Sequence, residues 1–275
     1  VRPFKSRAVE ELHRHAPPPA MVADALPPLA PDEPITVSFR QVDDYQTCPL
    51  KYRYIHILSV PIMRHHSVAY GSTLHKVVEH YLRRRVAGLF TPLEDLLAVF
   101  EREWRNEGFL TWEHEEARKA AGRAALTRFW HEEEASGTKP TYVEREFGFV
   151  LGPTKVRGRW DRVDETEGGV AIIDYKSAYI RAQKDADLRT RDSLQLQIYA
   201  LAWKEMFGRL PEKVELRFLE SGLVGTHAPT AEDLAEAEAA IHAAAAGIRA
   251  REFAPTPSYQ VCRYCAYNQI CPSTA

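Results

Sequence analysis

The run Gly158-Arg159-Trp160-Asp161-Arg162-Val163-Asp164 and, beyond Glu165-Thr166-Glu167-Gly168-Gly169, the run Val170-Ala171-Ile172-Ile173-Asp174-Tyr175-Lys176 decide how this chain is read. Residues 155–164 and 169–176 read as two β-strands, with the polar, Gly-containing segment between them as a hairpin turn. A turn centred near Glu167 sets Asp161 nearly opposite Asp174, with Cβ atoms about 5 Å apart. Lys176 shares the face of Asp174, and Ile173 and Tyr175 take the other. Two carboxylates that close repel unless a cation sits between them. A salt bridge on a solvated strand face is the bland alternative for the Asp-x-Lys alone, and the cross-strand Asp161 counts against it. Two carboxylates with a lysine suit divalent-metal hydrolysis of a phosphodiester. Hard oxygens hold Mg²⁺ or Mn²⁺, the metal acidifies a bound water, and a lysine orients the nucleophile or stabilises developing charge.

Upstream, Val143, Arg145, Phe147, Phe149 and Leu151 alternate as in a strand. Before it come helical patterns. Ser38-Phe39-Arg40-Gln41 is a capping box opening a helix over about 39–56. A second helix, about 68–88, carries the stripe Leu74, Val77, Val78, Tyr81 and Leu82. Thr91-Pro92-Leu93-Glu94 caps a third, to about Asn106, and a charged helix covers about 112–135. Downstream the pattern gives a helix at about 192–207 and a strand at about 212–220. An Ala-rich helix capped by Thr230 runs to about Glu252, and an irregular tail follows from Phe253 to Ala275. Residues 1–34, with eight prolines, read as a linker or surface arm. This order predicts a mixed α/β domain around a central sheet. A start at Val1 leads us to expect a piece of something longer.

The chain has 275 residues, enough for one large domain or two small ones, with 36 Lys+Arg against 38 Asp+Glu. A net charge of −2 excludes a globally basic nucleic-acid coat protein, so any polyanion must meet a local patch or a bound metal. Arg83-Arg84-Arg85 and the set Arg181, Lys184, Arg189 and Arg191 are such local runs, either solvated or tracking a phosphate backbone. No apolar stretch is long enough to span a membrane and no secretory signal is evident, so the expected location is cytoplasmic. No G-x-x-x-x-G-K-[S/T] loop occurs, so this chain carries no motor of that type.

Asp161 with Asp174-Tyr175-Lys176 resembles the signature of the PD-(D/E)XK nucleases, and the wording of residues 158–164 resembles their RecB-like branch. Gly71-Ser72-Thr73-Leu74-His75 is similar to that branch's N-terminal helix motif, and Gln195-Leu196-Gln197-Ile198-Tyr199 to its Gln-x-x-x-Tyr helix. The resemblance runs from about Ser38 to the C-terminus. It implies a restriction-endonuclease-like central mixed sheet flanked by helices, with an N-terminal helical region. The domain would span 35–275: a helical part to 137, a catalytic core over 138–252, and a Cys-rich tail. It also implies catalytic roles for Asp161, Asp174, Lys176, Gln195 and Tyr199, and metal ligation by His75, Asp161, Asp174 and the Tyr175 carbonyl. His75 lies beside an apolar stripe, so a buried structural histidine is the alternative. Glu79, one turn on, could hydrogen-bond its ring. Gln195 and Tyr199 share a helix face and could simply pack there. Glu144 matches an acidic position of the family, and Glu146 competes for that assignment.

The four cysteines are too few for a disulfide scaffold and enough for one metal site. Cys262-x2-Cys265-x5-Cys271 closes the chain and Cys48 lies more than 200 residues upstream. That arrangement resembles the iron-sulfur staple of AddB-type nucleases, implying a [4Fe-4S] cluster, with zinc as the alternative. The expected function is a Mg²⁺- or Mn²⁺-dependent deoxyribonuclease acting on single-stranded DNA or DNA ends in recombination or repair, with a helicase in cis or in trans. A non-cleaving, cluster-stapled module that grips single-stranded DNA is the second expectation.

Overall fold

Two residues, Glu167 and Gly168, turn the hairpin, and Gly169 closes it at φ 118°, a conformation that costs glycine little. From there the pairing runs Thr166 with Gly169 through Arg162 with Ile173, so the next step brings Asp161 opposite Asp174. The computed structural model describes residues 27–62 and 64–275, together with Glu10 and Arg14. Most of the Pro-rich arm therefore lies outside the described residues.

In chain order the elements are β1 (Ile35–Ser38), α1 (Phe39–Thr47), α2 (Pro49–Tyr52), a π-helical turn (Arg53–Ile57), α3 (His66–Val86), α4 (Leu93–Glu103) and α5 (Trp112–Ser136). There follow β2 (Tyr142–Leu151), β3 (Thr154–Thr166), β4 (Gly169–Lys176), α6 (Gln183–Arg191), α7 (Leu194–Phe207), β5 (Lys213–Phe218), β6 (Leu223–His227), α8 (Ala231–Ala250) and α9 (Tyr259–Cys262). The chain divides into two compact units. The smaller takes Val1–Ile62, Gly152–Thr154 and Ala240–Ala275, and the larger takes Met63–Leu151 and Lys155–Ala239.

The larger unit is built on a mixed sheet in the order β3-β4-β5-β6, with β2 also paired to β3. β3/β4 and β5/β6 are antiparallel, and β4/β5 is parallel. A parallel neighbour requires a crossover, and α6 with α7 supply it. Ile173, Tyr175 and Leu219 join a core cluster with the apolar stripes of α3, α4 and α5. Gly122 admits the Phe100 ring at closer range than a Cβ would allow. α7 is buried over eight consecutive residues, Leu196–Trp203. Its Tyr199 and Trp203 pack with Phe147 and Trp160. This is a mixed α/β fold with a central mixed sheet and flanking helices.

In the smaller unit Ser38 and Gln41 form the expected capping box. The helix expected over 39–56 is broken at Cys48, which is extended (φ −167°, ψ 116°). Pro49 disfavours a helical residue before it, and Cys48 becomes the cap of the next turn. Leu29 donates its N–H to the Arg249 carbonyl at 2.9 Å, and Arg249 reaches the Glu33 carbonyl and Thr154. Residues 27–34 thus lie against the end of α8. Gly247 gives room to the Tyr45 ring, whose hydroxyl donates to the Glu252 carbonyl.

Three expectations need correction. Thr91 does not cap α4. Pro92 takes the cap position with no side-chain bond, while Thr91 accepts from Arg84 at its hydroxyl and from Trp130 at its carbonyl. The run Arg83-Arg84-Arg85 is engaged by the protein itself: Arg83 with Glu79, Arg84 with Thr91 and Phe90, Arg85 with Glu134, Tyr81 and two carbonyls. Strand β6 and helix α6 were not expected, because β6 is too short and α6 too polar to show a period. No helix among the described residues is long and apolar enough to cross a membrane.

Candidate active site

At Asp161 the hairpin ladder gives way to a side chain. The Tyr175 N–H donates to Asp161 Oδ2 at 3.0 Å, so the carboxylate replaces the partner strand's carbonyl. That bond fixes Asp161 beside Asp174. Asp174 is 2 % exposed, and Asp161 is also largely covered. Burial, and then the neighbouring Asp174, push the Asp161 carboxyl well above the usual carboxylate range, against the Tyr175 N–H.

Helix α3 brings in His75. Its Nδ1 lies 3.4 Å from Asp161 Oδ2, and its ring sits beside the Tyr175 backbone. Burial lowers the His75 pKa although Asp174 works to raise it. Helix α7, capped by Ser193, brings Gln195 and Tyr199 one turn apart. Gln195 Nε2 donates to Asp174 Oδ1 at 2.7 Å and to the Tyr199 hydroxyl at 2.8 Å, while its Oε1 accepts from Lys176 Nζ at 2.7 Å. Gln195 therefore ties the second carboxylate to the lysine. Lys176 Nζ is 2.8 Å from Asp174 Oδ2, but Oδ2 receives no well-angled hydrogen bond. Burial, with Asp174 and Asp161 nearby, raises the Tyr199 pKa, so its hydroxyl stays protonated.

Glu144, on β2, is turned to this cluster with φ +51°, a left-handed conformation costly for a residue with a Cβ. Its carboxylate is ion-paired to Arg159, and burial raises its pKa despite that pair. Glu146 is exposed, which separates the two candidates. Glu79 is not bonded to His75. Its carboxylate takes Arg83 at 2.7 Å.

Sequence reasoning overlooked the layer behind Tyr175. The Tyr175 hydroxyl accepts from Arg162 Nη1 at 3.2 Å. Arg162 is 1 % exposed and bonds Glu133 at 2.6 Å and Asp164 at 2.7 Å. Arg217 adds a second bond to Glu133 Oε1, and Glu133 Oε2 has no partner among the described residues. A small cavity of about 40 Å³ borders Glu133, Tyr175 and Arg217. The signal was the Arg162-x-Asp164 alternation, which puts a cation and an anion on one strand face.

The cysteines lie in the smaller unit. All four are unpaired and partly buried, and all line one cavity of about 20 Å³ with Leu50, Tyr54 and Tyr267. Burial raises the Cys48 pKa, but hydrogen bonds from Thr256 and from the α2 residues Lys51 and Leu50 outweigh it and leave the thiol below its usual value. A thiol so held suits thiolate ligation. No group of three or more His, Cys, Asp or Glu among the described residues is placed to hold a metal ion. At the carboxylate cluster the donors are not drawn together into such a group, but their chemistry is that of a hard divalent cation's ligands: two neighbouring carboxylates, one with an oxygen that lacks a well-angled donor, beside an imidazole.

The sequence model of the PD-(D/E)XK nuclease superfamily matches residues 36–272. Among solved structures, a protein of Eubacterium rectale with a provisional exonuclease assignment is similar at a TM-score of 0.52 and 14 % identity. The match covers 89 % of this chain and 91 % of that one. The protein SSO0001 matches at 18 % identity and a TM-score of 0.42, over 98 % and 95 % of the two chains. No protein of curated function matches.

Proposed function

Because the chain belongs to the PD-(D/E)XK nuclease superfamily, we propose that it is a metal-dependent deoxyribonuclease acting on single-stranded DNA or DNA ends. The observation that carries this reading is Gln195, whose amide joins Asp174 on one side and Lys176 on the other while Asp161 stands across the hairpin. A purely structural Asp-Lys pair needs neither the bridging amide nor a second buried carboxylate. The exonuclease assignment of the Eubacterium rectale protein is in keeping with action at ends.

Asp161, Asp174, His75 and the Tyr175 carbonyl would hold Mg²⁺ or Mn²⁺. When bound, such a cation polarises the scissile phosphate and acidifies a water. The rest falls to this chain's own side chains. The Tyr175 N–H keeps Asp161 turned toward Asp174. Gln195 holds Lys176 Nζ at the rim of the carboxylates, where it can orient the attacking oxygen and balance charge on the phosphate. Tyr199, kept neutral, orients the Gln195 amide. In the smaller unit the four cysteines would bind one [4Fe-4S] cluster, with zinc as the competing occupant; the shared cavity and the lowered Cys48 pKa support this.

The test is cleavage of a labelled oligonucleotide with Mg²⁺, Mn²⁺ or EDTA. Wild type should cut with either metal and not in EDTA, and Asp174→Ala should abolish cutting without loss of fold. Cleavage that survives Asp174→Ala sinks the assignment.

A further inference from the structure

The loop that leaves the strand of Asp174 and Lys176 is pinned on both sides of an exposed aromatic ring. Residues 177–182 join β4 to α6. Gly71 of α3 lets the loop come close, since a Cβ there would meet Ser177 Oγ at 3.1 Å. Ile180 is 5 % exposed and anchors the loop's middle. Beyond it, α6 is seated tightly on β6. Gly225 touches the Ala186 carbonyl and Thr190 where no side chain would fit, and Gln183 donates to the Val224 carbonyl. Between these anchors Tyr179 stands 65 % exposed.

Cations follow at once. Arg181, Lys184 and Arg189 are exposed and make no ion pair among the described residues. Arg191 is paired with Asp192, and Asp187 is held by Gln183. Ala186 and Thr190 are the buried face of α6, so Lys184 and Leu188 lie on the opposite, outward face. Chain length alone keeps Tyr179 within about 11 Å of Lys176, and Arg181 within about 18 Å. A nucleic-acid strand advances about 3.4 Å per nucleotide, so a strand lying at Lys176 meets both within a few nucleotides. An exposed ring can stack only on a base that is free of its own stack, which favours an unpaired strand over a duplex.

We propose that Tyr179, Arg181 and Lys184 form a track for single-stranded DNA beside the carboxylate cluster, with Tyr179 stacking one base and the two cations following phosphates. The proposal rests on the reading of that cluster as a phosphodiester-cleaving site. The track is built before any ligand arrives, because its loop is fixed by Gly71, Ile180 and Gly225 rather than by the strand it would carry.

Binding of labelled oligo-dT to the full chain, followed by fluorescence anisotropy in EDTA, tests it without cleavage. Tyr179→Ala should weaken binding on the order of tenfold, and Tyr179→Phe, which keeps the ring, should restore it. The double variant Arg181→Ala/Lys184→Ala should reduce the slope of log K against log salt by about 1.4, two phosphate contacts' worth. A blunt duplex of the same length should be insensitive to Tyr179→Ala. Unchanged oligo-dT binding by Tyr179→Ala, an equal loss on duplex, or an unaltered salt slope overturns the track. Tighter binding of oligo-U than of oligo-dT overturns the assignment to DNA. A chain that binds as expected but never cuts with Mg²⁺ or Mn²⁺ refutes the nuclease reading alone, and a chain that cuts while Tyr179→Ala binds normally refutes the track alone.

Discussion

Glu144 carries the clearest tension between stability and chemistry at a single residue. Its φ of +51° is a conformation that residues with a Cβ avoid, and its buried carboxyl has a raised pKa beside Asp174 and Arg159. Phe147 and Phe149 resume ordinary alternation two turns of the pleat later. The Glu144 carboxyl is near enough to Asp161 and Asp174 for their charges to act on one another. Asparagine tolerates the left-handed region far better than glutamate. Glu144→Asn should therefore raise stability by about 1 kcal/mol in a urea titration while lowering cleavage. A variant that is both less stable and fully active would show that the strain serves the fold and not the site.

At the scale of elements, β3 and β4 are locked from behind. Arg162 is buried with Glu133, Asp164 and the Tyr175 hydroxyl, and the backbone of Tyr175 in turn holds Asp161 and touches His75. Removing the cation from such a group leaves buried carboxylates unpaired. Arg162→Ala should cost about 3–5 kcal/mol, read as a fall in the urea midpoint, whereas the exposed Arg181→Ala should cost almost nothing. The start of α8 gives a case with a sign in pH. Asp233 is bonded by His227, by the Thr230 N–H and by the Thr230 hydroxyl. These hold its pKa below the usual value although burial works to raise it. A lowered folded value means the stabilisation is full above the ordinary Asp value of about 3.9 and is lost as pH falls through the folded value. Asp233→Asn should cost about 1 kcal/mol at neutral pH and flatten the acid side of the stability profile; an unchanged acid limb would refute the assignment. These elements also mark what the sequence could tell. The hairpin was legible because a Gly-rich turn sets one register and the register sets opposite faces. The long helix α3 was legible from its apolar stripe, and α5 only as a charged helical run. The break at Cys48 was signalled only by Pro49, and α6 and β6 were hidden because α6 is polar and buries only Ala186 and Thr190 while β6 is five residues long. Glu79 and Arg84 were misjudged for one reason: spacing says which side chains can meet, and not which of several partners wins.

Over the whole molecule, chain ends far apart in sequence build the smaller unit, which takes Val1–Ile62 and Ala240–Ala275. The tail offers few apolar anchors. Tyr267 is buried and bonds the Val60 carbonyl, while Tyr259, Tyr264 and Ile270 are exposed. Short helical turns and backbone bonds within residues 258–274 cannot by themselves offset the entropy of ordering them. A cluster held by Cys48 from one end and Cys262, Cys265 and Cys271 from the other would close a loop of more than 200 residues. By the loop-entropy estimate for a covalent cross-link, that closure is worth on the order of 5 kcal/mol. Cys265→Ser should thus strip the metal, measured as iron or zinc per chain, and open residues 253–275 to limited proteolysis. The larger unit, whose sheet and helix core contain none of the four cysteines, should keep its protease resistance. If the tail of Cys265→Ser stays as resistant as that of wild type, the cysteines do not staple the chain, and the tail's own hydrogen bonds must suffice.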